Sequence, residues 1–245
     1  MHAVKRLFPV FLLIPCLSCS FVKEDRELCP CNLTIEVAGA PGPVRLLVEG
    51  PSFERDSTVA GDTSVTWRVP RPDVRITAVC GAEWNRGVVI ADGCECPPLY
   101  LGVGRVETNS ENATCVPPLN KAYCQIDMQF KCPAGWKPLP VAVTGNICGY
   151  SASGNPAPGA FRCEAEPSGV TGRCRFRIPR QRDASLLLTI GSSWTFALGE
   201  YLRQTGYNWN EPDLQDVQLD IDISLTDITF RSASWTHTEK LWFLI

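Results

Sequence analysis

The sequence has very little histidine and lacks the motifs on which most enzyme active sites are built. Only two of its 245 residues are histidine, and one of them is His2, within the first few residues. No G-x-S-x-G, H-E-x-x-H, Walker or G-x-G-x-x-G motif occurs. The other histidine, His237, lies in an alternating segment, where the surface of a strand is the simplest place for it. Without a base, a nucleophile or a set of zinc ligands, we expect neither an enzyme nor a bound cofactor.

Long runs of one residue class are also missing. Lys and Arg number 23 against 26 Asp and Glu, and no basic run occurs, so nucleic acid is not an expected partner. Beyond residue 25, no apolar stretch approaches the roughly 20 residues that span a bilayer as a helix. The hydrophobic content of 44%, with seven Trp and ten Phe, is enough for a packed core and excludes global disorder.

The first 25 residues have the pattern of an export signal. Lys5 and Arg6 form a basic start, and the apolar run 7–14 is long enough for a signal peptide but too short to span a bilayer. Small residues then lead to Cys19, as in a bacterial lipoprotein signal. We therefore expect residues 1–18 to be a signal peptide and Cys19 to carry a lipid. The alternative is an ordinary signal peptide with Cys19 as a plain thiol.

A charged cluster follows this cysteine. Lys23, Glu24 and Asp25 lie within a short segment, 19–27, that we interpret as a lipidated tether. The cluster resembles the surface-export signal of Bacteroidota lipoproteins. The alternative is a solvated linker that keeps the folded body away from the membrane.

Thirteen cysteines fit an exported protein better than a cytosolic one. Without Cys16 and Cys19, eleven are left, an odd number, so at least one is unpaired within the chain. Disulfides and buried thiols are the expected uses. The elements 29–31 and 94–96 are both C-x-C, which also allows a four-thiolate metal site. Structural zinc prefers two to four residues between paired cysteines, so we expect no metal.

Apolar and polar residues alternate along many segments, which predicts strands with one buried face. Pro and Gly interrupt these segments at short intervals, and this punctuation favours a β-sandwich or barrel over parallel βαβ units. No internal sequence repeat is visible. The alternating apolar rows are Leu33, Ile35, Val37; Val44, Leu46, Val48; Val65, Trp67, Val69; Val74, Ile76, Ala78, Cys80; Cys124, Ile126, Met128, Phe130, Cys132; and Val217, Leu219, Ile221, Ile223, Leu225.

The polar segment 107–114 has no apolar pattern and suggests a division of the chain into two β-domains, 28–112 and 113–245. Segment 145–168 is rich in Gly, Pro, Ser and Asn, and it predicts long loops. One helix is expected, Leu198–Gln204, in which Leu198 and Leu202 share a face and Gly206 can close the end.

Four carboxylates cluster late in the sequence. A solvated strand face is the favoured interpretation, while a glycosidase-type pair or a calcium site are the alternatives. The four are Asp213, Asp216, Asp220 and Asp222.

Several runs resemble the FimB-type fimbrial anchor lipoproteins of Bacteroidales. The resemblance begins with the leader, residues 22–26 and the Cys-Pro-Cys at 29–31. In the second half it is carried by 178–188 (IPRQRDASLLL), 196–202 (FALGEYL), 205–209 (TGYNW) and 213–222 (DLQDVQLDID).

This resemblance implies an all-β protein with two transthyretin-like β-sandwich domains, lipid-anchored at the outer membrane, where it would sit at the base of a fimbria. Its partners would be fimbrial subunits, which polymerise by β-strand addition. Segment 241–245 is either donated to a neighbour or forms the last strand of its own sandwich. The alternative function is a surface lipoprotein that binds glycan or a host ligand on Trp84, Trp136 or Trp209, unless these residues pack in the core.

Overall fold

The computed structural model describes residues 29–131, 139–168, 172–192, 194–222, 227–232 and 235–240. Across these ranges the regular secondary structure is all strand except for one short helix, and the all-β sandwich expectation is confirmed. No helix in these ranges has the length and apolar character needed to cross a membrane. Several predicted features lie outside the described residues: Cys19, Lys23, Glu24, Asp25, Cys132, Trp136, Ile223, Leu225 and 241–245.

The first half of the chain forms two sheets around one core. The three-stranded sheet has the order β4-β1-β8 and the five-stranded sheet the order β3-β2-β5-β7-β9. Their inner faces carry the predicted apolar rows, which bury Leu33 and Ile35 against Leu46 and Ile76. We call this pair of sheets the first sandwich. Its strands are β1 (Cys31–Val37), β2 (Val44–Gly50), β3 (Phe53–Val59), β4 (Thr63–Val69), β5 (Asp73–Cys80), β6 (Gly87–Val89), β7 (Tyr100–Glu107), β8 (Asn112–Cys115) and β9 (Asn120–Lys121), although β6 pairs elsewhere.

The second sandwich repeats this plan. Its sheets have the orders β13-β10-β16-β17-β18 and β12-β11-β14-β15, and β6 also pairs with β11. Ile126, Phe176 and Leu219 from one sheet meet Val143 and Leu188 from the other. Its elements are β10 (Tyr123–Lys131), β11 (Val141–Ser151), β12 (Pro156–Ala165), β13 (Arg173–Pro179), β14 (Leu187–Ile190), β15 (Trp194–Phe196), α1 (Leu198–Gln204), β16 (Val217–Asp222), β17 (Asp227–Ser232) and β18 (Trp235–Lys240).

The two sandwiches have the same strand topology. Strand β1 pairs antiparallel with β4 and parallel with β8, and β10 pairs in the same two ways with β13 and β16. In the opposite sheets, β2 lies between β3 and β5 as β11 lies between β12 and β14. The sequence shows no repeat because alternation and turn positions, not residue identity, specify this arrangement.

Two segments that the sequence suggested were irregular contain strands. Residues 112–114 of the polar segment belong to β8, a strand of the first sandwich. Segment 145–168, predicted to be long loops, holds most of β11 and all of β12. Pro156 and Pro158 are compatible with strand structure there because β12 is an edge strand, where a missing N–H is tolerated. The division into domains 28–112 and 113–245 stays a prediction.

A segment of the first half crosses into the second core. We call residues 81–99, which connect β5 to β7, the strap. Its strand β6 pairs with β11, and five of its side chains are buried among those of the second sandwich: Trp84, Val88, Ile90, Cys96 and Leu99. Trp84 is one of them, with only 3% of its surface exposed. The strap therefore connects the two sandwiches by strand pairing and by packing in the second core.

The strap also closes one side of the second sandwich. The backbone N–H of Gly93 donates to the carbonyl of Arg162 on β12 at 3.0 Å, and that of Cys96 donates to the carbonyl of Arg177 on β13 at 2.9 Å. Glu95 accepts a hydrogen bond from the Arg177 N–H at 3.1 Å and forms an ion pair with its guanidinium. The strap thus bridges the edge strands of the two opposed sheets.

The predicted helix is confirmed with its predicted bounds. Leu198 and Leu202 are buried, and Glu200 pairs with Arg203 on the exposed side. Gly206 follows with φ of +83°, the left-handed conformation that favours glycine after a helix.

Ten cysteines lie in the described ranges, and all are free thiols. Expected buried thiols are confirmed, whereas expected disulfides are not found among these ten. Burial raises the pKa of Cys96 and of Cys124 to about 12, so both thiols are protonated at neutral pH. In the same ranges no three Cys, His, Asp or Glu side chains are grouped closely enough to hold a metal ion.

Candidate functional site: the open edge at β8

Most of the longer sheet edges are protected against pairing with another strand. The strap bridges β12 and β13. Strand β3 carries the charged residues Glu54, Arg55 and Asp56 in succession, and charges on an edge strand discourage pairing. Asp56 forms an ion pair with Arg45 at 2.5 Å, and Arg55 lies 4.7 Å from the ring centre of Trp67. These contacts hold the charged side chains of β3 in place at this edge of the sheet.

The outer edge of β8 is different. Strand β8 pairs in parallel with β1, and no other described strand lies beside it. Its counterpart β16 has β17 and β18 added beyond it, with β17 antiparallel to β16. Because the two sandwiches share one topology, the place beside β8 corresponds to the place that β17 occupies. Among the described strands, the first sandwich is therefore one strand short at this edge.

The side chains of β8 suit the addition of a strand. Its sequence, Asn-Ala-Thr-Cys, has no charge. Ala113 and Cys115 pack against the first core, and burial raises the pKa of the Cys115 thiol, which keeps it neutral. On the outer face, the Asn32 amide donates to the Asn112 side-chain oxygen at 3.1 Å. Val116, just beyond the strand, is 55% exposed and offers an apolar contact.

The backbone of β8 has groups directed away from β1. The N–H of Asn32 donates to the carbonyl of Glu111 at 2.8 Å, so residues 111 and 113 face β1 in the parallel ladder. Thr114 then faces outward, where its N–H and C=O can pair with an incoming strand. An extended segment from a partner can bind here by β-augmentation, with the main chain supplying the hydrogen bonds.

The aromatic residues predicted as a ligand platform are not assembled into one. Trp84 packs in the second core, so its predicted role in glycan binding is wrong. Trp209 is partly buried, with its ring centre 4.7 Å from that of Tyr207 in an edge-on contact. Trp136 lies outside the described residues.

Two of the four clustered carboxylates join distant parts of the chain. Asp213 accepts the backbone N–H of Lys121 at 2.7 Å. Asp216 accepts the backbone N–H of Gln125 at 2.8 Å and pairs with the Lys121 ammonium at 2.5 Å. These bonds fix the segment before β16 against β9 and β10, which gives the two carboxylates a structural role. Sequence analysis could not find it, because Lys121 and Asp216 are 95 positions apart.

No family model matches this chain, and no curated protein matches it in sequence. Solved structures do match. A candidate polysaccharide-binding protein from Bacteroides thetaiotaomicron has a TM-score of 0.61 at 12% identity, covering 86% of this chain and 98% of that one. A candidate adhesin from the same organism has a TM-score of 0.59 at 12% identity, covering 85% and 97%.

The fimbrial anchor protein Mfa2 from Porphyromonas gingivalis also matches. Its TM-score is 0.53 at 10% identity, covering 85% of this chain and 99% of that one. At such identities the likeness shows the fold alone, and it extends over nearly the whole of each matched chain. The protein thus shares its all-β sandwich fold with these solved structures from Bacteroides and Porphyromonas.

Proposed function

We propose that this protein is a non-catalytic lipoprotein that anchors or caps a fimbria at the outer membrane and assists its assembly by β-strand pairing. Cys19 would carry the lipid, Lys23, Glu24 and Asp25 would direct the protein to the cell surface, and fimbrial subunits would be its partners.

One observation carries this proposal: the fold likeness to a fimbrial anchor protein extends over 99% of that protein's chain. It agrees with the resemblance of the leader and second half to fimbrial anchor lipoproteins. Export followed by lipidation places the protein where a fibre would be held. The open edge at β8 supplies a place for strand pairing.

Deleting the gene for this protein in its native host is expected to release fimbriae into the culture medium, because their attachment to the membrane is lost. Complementation with Cys19→Ala should leave the fibres in the medium, since the lipid acceptor is missing. Cys16→Ala is the matched control, three residues earlier in the same leader, and it should restore attachment. Fibre antigen in cell and medium fractions gives the measurement, and the mass of the N-terminal peptide reports acylation. Fibres that stay attached and unchanged in length after deletion would contradict the proposal.

The β8 edge has a separate test. Thr114→Pro removes the outward N–H and should prevent strand addition without removing a hydrogen bond to β1. Thr114→Val keeps the N–H and is the matched control. In the deletion strain, Thr114→Val should restore fibre attachment and Thr114→Pro should not, with similar thermal unfolding of the two purified proteins. Full restoration by Thr114→Pro would exclude this edge as the assembly surface.

A further inference from the structure

A cleft of about 360 Å³ lies where the two sandwiches meet. We call it the junction cleft. Val103 and Asn120 line it from the first sandwich, Asn155 from the turn between β11 and β12, and Asn210 from the loop after α1. Tyr150 also lines it, from β11. Its volume falls within the range of small-molecule sites, roughly 300–1,000 Å³.

Tyr150 is held firmly in this cleft. It is buried, and burial raises its pKa, so the phenol stays protonated. Its hydroxyl donates to the carbonyl of Ala122 and accepts the backbone N–H of Arg180 at 2.9 Å. Both polar functions of the hydroxyl are therefore engaged within the protein.

The walls of the cleft are also fixed. The Arg180 guanidinium donates to the carbonyls of Trp209, Glu211 and Pro212, the last two at 2.7 Å and 2.9 Å, which holds their loop in place. On the opposite wall, the turn at Gly154 packs tightly on Val103, because a Cβ at Gly154 would come within 2.8 Å of a Val103 methyl. The cleft is therefore largely preorganised.

Two side-chain amides that line the cleft have no hydrogen-bond partner among the described residues. The side-chain amides of Asn120 and Asn210 make no hydrogen bond to another described residue, unlike most polar side chains around them. Each amide offers two N–H donors and an acceptor oxygen. Arg180 and Glu211 line the same cleft with opposite charges, so the site has no strong net charge. Val103, which is half-buried, adds an apolar contact beside them.

We propose that the junction cleft binds a neutral saccharide. Sugar hydroxyls both donate and accept hydrogen bonds, which matches the two free amides, and the exposed part of Val103 offers an apolar contact to the C–H groups of a sugar ring. The opposed charges of Arg180 and Glu211 do not favour a phosphate or another strong anion.

The test measures binding of the purified protein to immobilised trisaccharides. The neutral probes are maltotriose, mannotriose, xylotriose and N-acetylchitotriose, and the acidic probes are sialyllactose and trigalacturonate. At least one neutral probe should bind, and Asn120→Ala with Asn210→Ala should weaken that binding by about tenfold or more. Asn85→Ala, at an exposed asparagine on the strap, is the matched control and should leave binding unchanged. Because neither cleft amide bonds within the described protein, the double variant should fold normally, which circular dichroism checks.

Absence of binding to every neutral probe would overturn the proposal. The same holds for binding that the double variant retains, or for binding limited to the acidic probes. The result is independent of fibre attachment, since the double variant should still restore attached fibres in the deletion strain. A failure of the cleft and a failure of the anchoring function can therefore be told apart.

Discussion

Trp84→Ala is expected to lower the free energy of unfolding by about 3–5 kcal/mol. The indole is buried in the second core, although Trp84 belongs to the first half of the sequence. Its removal leaves a cavity that the rigid sheets on either side cannot fill. Denaturant unfolding of the purified protein, monitored by circular dichroism, gives the measurement.

Val89→Ala is the matched control for this variant. Val89 lies five residues further along the strap and is 82% exposed, so its truncation should change stability by less than about 0.5 kcal/mol. A Trp84→Ala protein as stable as the Val89→Ala protein would mean that the indole is not a core residue. Glycan binding on the Trp84 ring would then again be a valid hypothesis.

Gly81→Ala is expected to destabilise the protein by about 3 kcal/mol or more. Gly81 begins the strap and has φ of +82°, where a side chain is strained. In addition, a Cβ there would lie 2.0 Å from the carbonyl oxygen of Pro98, at the other end of the strap. Backbone must therefore move, and the closure of the strap is lost with it. Thermal unfolding of the variant and the parent protein measures the effect.

Gly206→Ala separates the two causes of destabilisation, which are the positive φ and the close approach of the Pro98 carbonyl. Gly206 has φ of +83°, almost the same as that of Gly81, but a Cβ there would meet nothing within 4 Å. The change should therefore cost only the backbone strain, about 1–2 kcal/mol. If the two alanine variants are equally stable, the close approach of Pro98 to Gly81 is not a constraint on the fold.

Local patterns predicted much of this fold. Ile126, Met128 and Phe130 alternate with polar residues, and β10 buries all three on one face. Helix α1 was also predictable, because Leu198 and Leu202 share a face and Gly206 ends the helix. In these elements the sequence periodicity and the burial agree, so tertiary contacts only reinforce a local preference.

Long-range pairing could not be predicted in the same way. Strand β8 has only four residues, too few for their alternation to mark a strand, and it forms because β1 supplies a partner in register. The sequence around Trp84 has no strand or helix pattern, so it does not predict that the indole is buried. The indole is buried only because the strap packs on the second sandwich. The junction cleft draws Asn120 and Asn210 together from positions 90 residues apart, so no local signal marks it.

The strap also determines how the molecule responds to force. Tension between β1 and the second sandwich would run through the junction between them. Separating the sandwiches would require pulling the Trp84 indole out of the second core and breaking the hydrogen bonds of Gly93 and Cys96. The junction therefore should not yield as a flexible hinge. Separation of the two sandwiches therefore requires local disruption of the second core.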